Sequence, residues 1–157
     1  IAMTNEIEYF ANEIEKHEDI HTQAFLVSNA VHNKIRYITE STDIKTTAAE
    51  AFCQGSGVCQ DYSHITIAIL RYLNIPARYC AGLMEGEGKT HAWVEYYDGS
   101  AWYGIDPTND RVIEYGYIKI SSGRDALDCA VERGCFTSKQ TDLKQHIEVL
   151  VKVGEII

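Results

Sequence analysis

The amino-acid sequence predicts an α+β fold in which a helical N-terminal half packs on an antiparallel sheet. Up to Leu73, apolar residues recur at intervals of three and four, which is typical of amphipathic helices. From Ala77 onward they alternate with polar residues, which is typical of strands. A run of helices followed by a run of strands indicates an α+β protein and not one built from alternating strands and helices.

Three helices are predicted in the first third of the chain. Two of them carry one apolar stripe each, formed by Ile7, Phe10, Ala11 and Ile14 in the first and by Ala24, Val27, Val31 and Ile35 in the second. A short third helix starts at Thr46 or Thr47 and runs through Phe52. The loop Gly55-Ser56-Gly57 ends it, since glycine and serine clusters interrupt helices.

A longer helix starts at Val58 and stops at Asn74 and Pro76. Its buried side comprises Tyr62, Ile65, Ile69, Leu70 and Leu73. Strands are then predicted over residues 77–84, 91–97, 101–105, 116–120 and 147–153. Between the second and third of these strands, Asp98-Gly99 is a strong signal for a two-residue hairpin turn.

The length and charge of the chain indicate a single domain and argue against some classes of binding partner. The chain has 157 residues without an internal repeat or a clear boundary, so we expect one domain over residues 1–157. The formal net charge is −9 and no Lys/Arg cluster is present, which argues against a nucleic-acid partner. No apolar run approaches the roughly 18 residues that span a bilayer, so we expect no membrane segment in this chain.

The number and spacing of the cysteines predict that their thiols are free. There are five, an odd number, and none forms a C-x-x-C pair, which weakens both a structural zinc site and a thioredoxin-like motif. Free thiols are typical of a reducing compartment, so we expect a cytoplasmic location. An export signal upstream of Ile1 would change that expectation.

Cys59 is the strongest candidate for covalent chemistry. It follows a glycine-containing loop and begins the long helix. A thiolate at a helix N-terminus lies beside unpaired backbone N–H groups and the positive end of the helix dipole, which stabilise its charge. The same N–H groups can receive the oxyanion formed when a thiolate attacks a carbonyl. The alternative is a buried cysteine that packs as a small hydrophobic residue.

The base that such a cysteine requires is better supplied by His91 than by His64. His64 follows Cys59 on the same helix at a spacing that points its side chain away from the thiol. We therefore expect His64 to contact the core or the solvent from the face of its helix.

The predicted hairpin gives His91 a partner. If Asp98-Gly99 forms the turn, Tyr97 faces Ser100, and counting outward pairs His91 with Asp106. Residues directly opposite each other share one face of the sheet, so a carboxylate there can hold the imidazole in one tautomer. A slip of one residue would put the two side chains on opposite faces. The alternatives are a structural sheet histidine and an aspartate that caps a turn.

A second motif offers a different chemistry. His17-Glu18-Asp19-Ile20-His21 matches the H-E-x-x-H pattern, in which two histidines on one helix bind zinc and the glutamate activates a zinc-bound water. The stretch is polar and no third ligand stands out. A zinc metalloprotease is therefore the weaker alternative.

Three segments of the chain resemble the transglutaminase-like superfamily, in particular its bacterial branch of presumed cysteine proteases. They are GVCQDYSHITIAILRYLNIPARYCAG (57–82), THAWVEYYDGSAWYGIDPTND (90–110) and GRDALDCAVERGCF (123–136). The resemblance implies a papain-related core with Cys59 as nucleophile, His91 as base and Asp106 as acid. Two departures are evident. Bacterial members carry a domain before this core, so this chain is expected to be a fragment without it, and Ala126-Leu127 stands where an aromatic residue is common.

The resemblance further implies cysteine-dependent acyl transfer on peptide or protein amides through a thioester. We expect hydrolysis, as in a peptidase or amidase, with a peptide or protein as substrate and no cofactor or metal. Transfer to an amine, as in a transglutaminase, is one alternative, and a catalytically silent binding module is another. No EF-hand-like loop supports calcium dependence. Gln54 and Tyr37 both remain candidates for the second oxyanion-hole donor.

Overall fold

The computed structural model of the chain describes residues 1–43, 45–88, 90–130 and 149–151. The helices within these residues are α1 (Asn5–Glu13), α2 (Ile20–Lys34), α3 (Ala48–Gln54) and α4 (Cys59–Tyr72). The strands are β1 (Arg36–Tyr37), β2 (Ser56–Gly57), β3 (Ala77–Met84), β4 (Gly86–Gly88), β5 (His91–Tyr97), β6 (Trp102–Asp106), β7 (Arg111–Ile113), β8 (Tyr117–Gly123) and β9 (Val149–Val151). The predicted α+β class is confirmed.

Side-chain caps set the ends of the N-terminal helices. Asp19 accepts a hydrogen bond from the backbone N–H of Thr22 at 2.7 Å and so begins α2. Thr47 and Glu50 form a reciprocal capping box at the start of α3. Gly55 ends α3 in the left-handed region with a φ of 68°, a conformation that glycine adopts without strain. The loop signals in the sequence therefore correspond to real helix boundaries.

Helix α4 is the central element of the fold. All of its residues from Asp61 to Leu70 are buried, and it packs against α1, α2, α3, β3 and β5. Its fully buried side chains include Ile65, Ile67, Ile69 and Leu70. Burying one such side chain contributes about 1.5–3 kcal/mol to stability. The packing of α4 therefore holds its first residue, Cys59, in a fixed position.

The main sheet has five antiparallel strands in the order β7-β6-β5-β3-β8. Its centre is apolar where it faces α4, with Val94 of β5 and Ile105 of β6 almost fully buried. Strand β5 lies between β3 and β6. A residue at the start of β5 is therefore close to the ends of several other strands.

A short parallel pairing joins the segment after α2 to the loop before α4. The N–H of Arg36 donates to the carbonyl of Gly55 at 3.0 Å, and the N–H of Ile38 donates to the carbonyl of Gly57 at 3.1 Å. The two strands β1 and β2 place Tyr37 directly beside Gly57. This pairing brings Tyr37 next to the loop that presents Cys59.

The predicted two-residue turn at Asp98-Gly99 is wrong. Tyr97 pairs with Trp102 and not with Ser100, so the loop contains residues 98–101. The side chain of Asp98 causes the longer loop, because its Oδ1 accepts hydrogen bonds from the N–H groups of Ser100 at 2.7 Å and Ala101 at 2.8 Å. The register shifts by an even number of residues, so each side chain stays on its predicted face.

The other predicted strands agree with the structure to within a few residues. The strand predicted over 101–105 is observed as β6, and the one predicted over 116–120 is the start of β8. Of the strand predicted over 147–153, β9 covers the described part, and the rest lies outside the described residues. No helix in the described ranges is long and apolar enough to cross a membrane.

Candidate active site

Cys59 is the first residue of α4 and is partly buried. The N–H groups of Asp61 and Tyr62 donate to the carbonyl of Val58 at 2.9 and 3.2 Å, which starts the helix. By helix geometry, the N–H groups of Cys59 and Gln60 have no acceptor inside the helix. The thiol therefore lies beside backbone donors that can bind an anion.

The loop before Cys59 is held by the buried carboxylate of Asp61. Its Oδ2 accepts hydrogen bonds from the N–H of Val58 at 2.8 Å and from Oγ1 of Thr42 at 2.6 Å. Because valine has no side-chain acceptor, only one half of a capping box is present. Burial raises the pKa of Asp61 even though both hydrogen bonds act in the opposite direction. Asp61 links the start of α4 to the loop after β1.

His91 lies at the start of β5 and contacts Asp106 at the end of β6. Nε2 of His91 is 2.6 Å from Oδ2 of Asp106, which is fully buried. The predicted direct pairing of these two residues is wrong, because Val94 pairs with Ile105 and the register therefore sets Asp106 opposite Trp93. His91 and Asp106 are diagonal neighbours on one face. The even shift of register preserved their contact.

The protonation of His91 depends on both of its partners. Burial opposes a charge on the ring, but hydrogen bonds and charges from Asp106 and Cys59 outweigh it and raise the pKa of His91 to about 9. Since Asp106 occupies Nε2, Nδ1 is the ring nitrogen left for the thiol. The structure thus brings the three predicted residues, Cys59, His91 and Asp106, together at one place.

Asp106 also caps a turn, so the predicted turn cap and the contact with His91 involve the same carboxylate. Its Oδ1 accepts hydrogen bonds from the backbone N–H groups of Thr108 at 2.9 Å and Asn109 at 3.3 Å. Its Oδ2 accepts from Nδ2 of Asn109 at 2.7 Å and from the hydroxyl of Tyr117 at 2.6 Å. Although burial alone would raise it, the pKa of Asp106 is lowered by hydrogen bonds from His91, Tyr117 and Asn109. The carboxylate is therefore ionised.

Sequence reasoning missed Asn109, Tyr117 and Thr42. The turn Asp106-Pro107-Thr108-Asn109 carried a local signal for Asn109, because an aspartate before proline commonly caps a turn with the residues that follow. Tyr117 and Thr42 carried no local signal. They reach Asp106 and Asp61 through the tertiary fold.

The two candidate oxyanion donors differ in their surroundings. The amide nitrogen of Gln54 donates to the carbonyl of Ser41 at 3.2 Å and to the hydroxyl of Ser56 at 3.1 Å, so both of its hydrogens are engaged. Tyr37 is half exposed, and its pKa is raised by partial burial and by the nearby charge of Cys59. Only Tyr37 therefore combines proximity to Cys59 with a hydroxyl that is available for a ligand.

His64 has a structural role on the buried side of α4, as its helical position predicts. Its Nε2 accepts a hydrogen bond from the backbone N–H of Ala126 at 3.1 Å. Burial lowers the pKa of His64 to about 4, so the ring is neutral near pH 7. A neutral ring with an occupied acceptor is not a base for Cys59.

The H-E-x-x-H segment does not form a zinc-binding helix. His17 lies in the loop between α1 and α2, where its Nδ1 accepts from the N–H of Asp19 at 3.1 Å. His21 lies inside α2, and its Nδ1 is 2.9 Å from the hydroxyl of Tyr96. The helix starts within the motif, so the two histidines do not share a helical face. In the ranges that the structure describes, no group of three or more His, Cys, Asp or Glu side chains converges to hold a metal ion.

The cysteines in the described residues are free thiols, namely Cys53, Cys59, Cys80 and Cys129. Burial raises the pKa of Cys80 to about 12 and also raises that of Cys129. Both behave as packing residues. Cys135 and the end of the third resembling segment lie outside the described residues.

Comparison with known proteins places this chain in a family. The sequence profile of the transglutaminase-like superfamily matches residues 8–107, which include the whole Cys59–His91–Asp106 constellation. The chain belongs to the transglutaminase-like superfamily. The family assignment agrees with a mixed fold in which a buried helix and an antiparallel sheet meet at the candidate site.

Related sequences extend over most of this transglutaminase-like chain. It is 35% identical to an uncharacterized protein of Mycobacterium leprae, over 74% of this chain and 46% of the relative. It is 32% identical to an uncharacterized protein of Mycobacterium tuberculosis, over 83% of this chain and 48% of the relative. The chain thus spans about half the length of the curated relatives it matches.

Solved structures show the same transglutaminase-like architecture. A presumed cysteine protease from Cytophaga hutchinsonii has a TM-score of 0.72 and 34% identity, and the match covers 80% of this chain and 44% of that one. LapG from Legionella pneumophila has a TM-score of 0.62 at 15% identity, covering 75% of this chain and 72% of that one. The likeness to LapG concerns the fold alone. Family and fold together identify the architecture of this chain as transglutaminase-like.

Proposed function

We propose that this chain cleaves peptide or protein amides by cysteine-dependent acyl transfer. Cys59 is the nucleophile, His91 the base and then the acid, and Asp106 the residue that orients the imidazole. The observation that carries the proposal is the geometry at His91. A buried carboxylate lies 2.6 Å from Nε2 of this ring, and the thiol of a helix-starting cysteine interacts with the same ring.

The first half of the reaction forms a thioester. The thiol proton of Cys59 passes to Nδ1 of His91, and the thiolate sulfur attacks the amide carbonyl carbon. The carbonyl electron pair moves onto oxygen, and its return expels the amine, which takes its proton from the His91 imidazolium. Asp106 accepts the Nε2–H throughout and stabilises the positive charge of the ring.

The second half returns the enzyme to its starting state. Water attacks the thioester carbonyl while His91 accepts one of its protons. The tetrahedral intermediate expels the Cys59 thiolate, which recovers a proton from the imidazolium, and a carboxylic acid is released. If a primary amine takes the place of water, the same steps produce a new amide and the reaction is a transglutamination.

The oxyanion of both halves is bound by two donors. The backbone N–H of Cys59 has no acceptor within the helix and points outward from the N-terminal end of α4. The hydroxyl of Tyr37 supplies the second hydrogen bond from β1, which the pairing with β2 fixes beside Gly57. This assignment prefers Tyr37 over Gln54, whose amide is bonded to Ser41 and Ser56.

Hydrolysis is favoured over transfer because the match at 34% identity is to a presumed cysteine protease, whereas the match to a TGase is at 20% identity. The experiment that tests this uses a pool of peptides containing glutamine and lysine, incubated in ¹⁸O-labelled water with dansylcadaverine. Wild type and Cys59→Ala are compared by mass spectrometry.

Hydrolysis predicts new products that carry ¹⁸O and are absent with Cys59→Ala. Dansylcadaverine on glutamine, with release of ammonia, would show a transglutaminase and contradict the hydrolytic assignment. Products that are identical for wild type and Cys59→Ala would contradict the proposed chemistry and favour a binding module.

A further inference from the structure

Tyr117 lies between Asp106 and an arginine at the edge of the sheet. Its hydroxyl is 2.6 Å from Oδ2 of Asp106, and its oxygen is 2.9 Å from Nε of Arg111. Because arginine can only donate, the tyrosine oxygen accepts from Arg111 and its own hydrogen is donated to Asp106. A line of hydrogen bonds therefore runs from Arg111 through Tyr117 and Asp106 to His91.

We propose that Tyr117 is a positioning residue of the candidate active site and that Arg111 orients its hydroxyl. The inference rests on the proposed function, in which Asp106 holds His91 for its reaction with Cys59. Tyr117 touches neither the substrate nor the thiol in this scheme. It acts through the carboxylate that faces the imidazole.

The electrostatic consequence has a definite sign. Tyr117 donates to Oδ2, the same oxygen that accepts from His91, and so withdraws negative charge from the atom that holds the imidazolium. The pull of Asp106 on the ring proton is weaker as a result, and the imidazolium can give up its proton to a leaving amine more readily. Arg111 strengthens this donation, because a hydroxyl that accepts one hydrogen bond donates the next one more strongly.

Tyr117 remains a protonated donor under working conditions. Its pKa is raised, first by burial and then by the hydrogen bond and charge of Asp106. In the part of the chain that the structure describes, the ionisable groups facing His91 are Cys59 and Asp106, with Tyr117 and Arg111 behind Asp106. These four groups are the ones that a titration of His91 would sense.

The ring of Tyr117 has a packing role that can be separated from the role of its hydroxyl. Its centroid is 6.0 Å from that of His91 and 5.3 Å from that of Trp93. Tyr117→Phe keeps this packing and removes only the hydrogen bonds. Tyr115→Phe is a matched control, because Tyr115 lies just before Tyr117, in the connection between β7 and β8, and is 79% exposed.

The experiment follows the His91 imidazole by NMR as a function of pH in wild type, Tyr117→Phe, Tyr115→Phe, Arg111→Ala and the Tyr117→Phe/Arg111→Ala double variant. The His91 signal is assigned by its loss in His91→Ala. We expect Tyr117→Phe to move the titration of His91 upward by about half a pH unit, since it loses one hydrogen bond to the carboxylate. In Tyr115→Phe, His91 is expected to titrate as in wild type. In Arg111→Ala, the titration of His91 is expected to move upward by less than in Tyr117→Phe.

The double variant separates the two roles. If Arg111 acts through the hydroxyl, Arg111→Ala has little further effect once Tyr117 is phenylalanine. An equal effect of Arg111→Ala in both backgrounds would overturn the orienting role of Arg111. A titration of His91 that is unchanged or lower in Tyr117→Phe would overturn the positioning role. Failure of the proposed function has a different signature, namely equal iodoacetamide labelling of Cys59 in wild type and His91→Ala.

Discussion

The carboxylate of Asp106 meets the imidazole of His91 in a diagonal contact across the hairpin formed by β5 and β6. Oδ2 of Asp106 is 2.6 Å from Nε2 of His91, and Asp106 is fully buried while the His91 side chain is 12% exposed. Such a pair is only weakly screened by solvent. The contact therefore fixes both the orientation and the charge of the ring that faces Cys59.

Replacing Asp106 with asparagine tests this dependence directly. Asp106→Asn keeps the size of the side chain but removes its charge, so the pKa of His91 is expected to fall from about 9 toward its ordinary range. The rate of amide cleavage is expected to fall by about 10²–10⁴-fold, as for the loss of an orienting aspartate in a triad. Steady-state kinetics on a peptide substrate measure this loss.

Asp110→Asn is the matched control for that substitution. Asp110 lies in the same turn, where its Oδ2 accepts from Nδ2 of Asn29 at 2.9 Å, whereas the carboxylate bonded to His91 is that of Asp106. We expect near-wild-type kinetics for this variant. An equal loss in both variants would mean that the turn as a whole, and not the charge of Asp106, supports activity.

The pH dependence of cleavage is expected to show an alkaline limb near pH 9. His91 is protonated below its raised pKa of about 9 and loses its proton as the pH rises through that value. Only the imidazolium can protonate a departing amine, so kcat/KM for an amide substrate falls on the alkaline side. A p-nitrophenyl ester provides the contrast, because its leaving group needs no proton. The rate at which this ester acylates the enzyme is therefore expected not to fall above pH 9.

Tyr37→Phe and Gln54→Ala separate the two candidate oxyanion donors. Loss of the Tyr37 hydroxyl is expected to lower kcat by about 10²-fold with little change in KM, since the donor acts on charge that develops in the transition state. Gln54→Ala removes an amide that is bonded to Ser41 and Ser56, so its effect is expected on stability. The reverse result, with kcat lost only in Gln54→Ala, would transfer the role to Gln54.

Gly57→Ala is expected to disturb the loop that presents Cys59. A β-carbon on Gly57 would lie 2.6 Å from Cβ and from Oδ2 of Asp61, inside the buried contact that starts α4. We expect a loss of about 1–3 kcal/mol in the free energy of unfolding, the usual cost of overpacking, together with lower activity. Urea denaturation followed by circular dichroism measures the stability.

Gly55→Asn serves as the control for that loop. A side chain on Gly55 would meet nothing within 4 Å, and asparagine tolerates the left-handed conformation at φ 68°. Its cost is expected to stay below about 1 kcal/mol. Equal destabilisation by both variants would contradict a specific role of the Gly57–Asp61 contact.

Local rules predicted much of the fold. The start of α3 at Thr47 and its end at Gly55 depend on interactions within a few residues, so the pattern of caps and glycines was sufficient. The shared face of His91 and Asp106 also followed from local periodicity, and the two-residue error in register left it intact. The error itself arose because the side chain of Asp98 accepts hydrogen bonds from the N–H groups of Ser100 and Ala101 and so lengthens the loop. A rule based on the Asp-Gly dipeptide does not include these hydrogen bonds.

The surroundings of the site depend on contacts between distant parts of the chain. Tyr117 reaches Asp106 because β8 pairs with β3, and Thr42 reaches Asp61 because β1 pairs with β2. Neither strand pairing has a signature in the local sequence. Hydrophobic patterns determine which residues are buried, whereas the partner of a given polar side chain depends on the complete packing.

The most direct test of the central claim is iodoacetamide labelling at pH 6, measured at each cysteine by mass spectrometry, in wild type, His91→Ala and His64→Gln. The account predicts that wild-type Cys59 is labelled faster than the exposed Cys53, because an imidazolium and a helix N-terminus stabilise its thiolate. His91→Ala is expected to remove this advantage and His64→Gln to preserve it. Labelling of Cys59 at the rate of Cys53 in wild type, or at an unchanged rate in His91→Ala, would contradict the account.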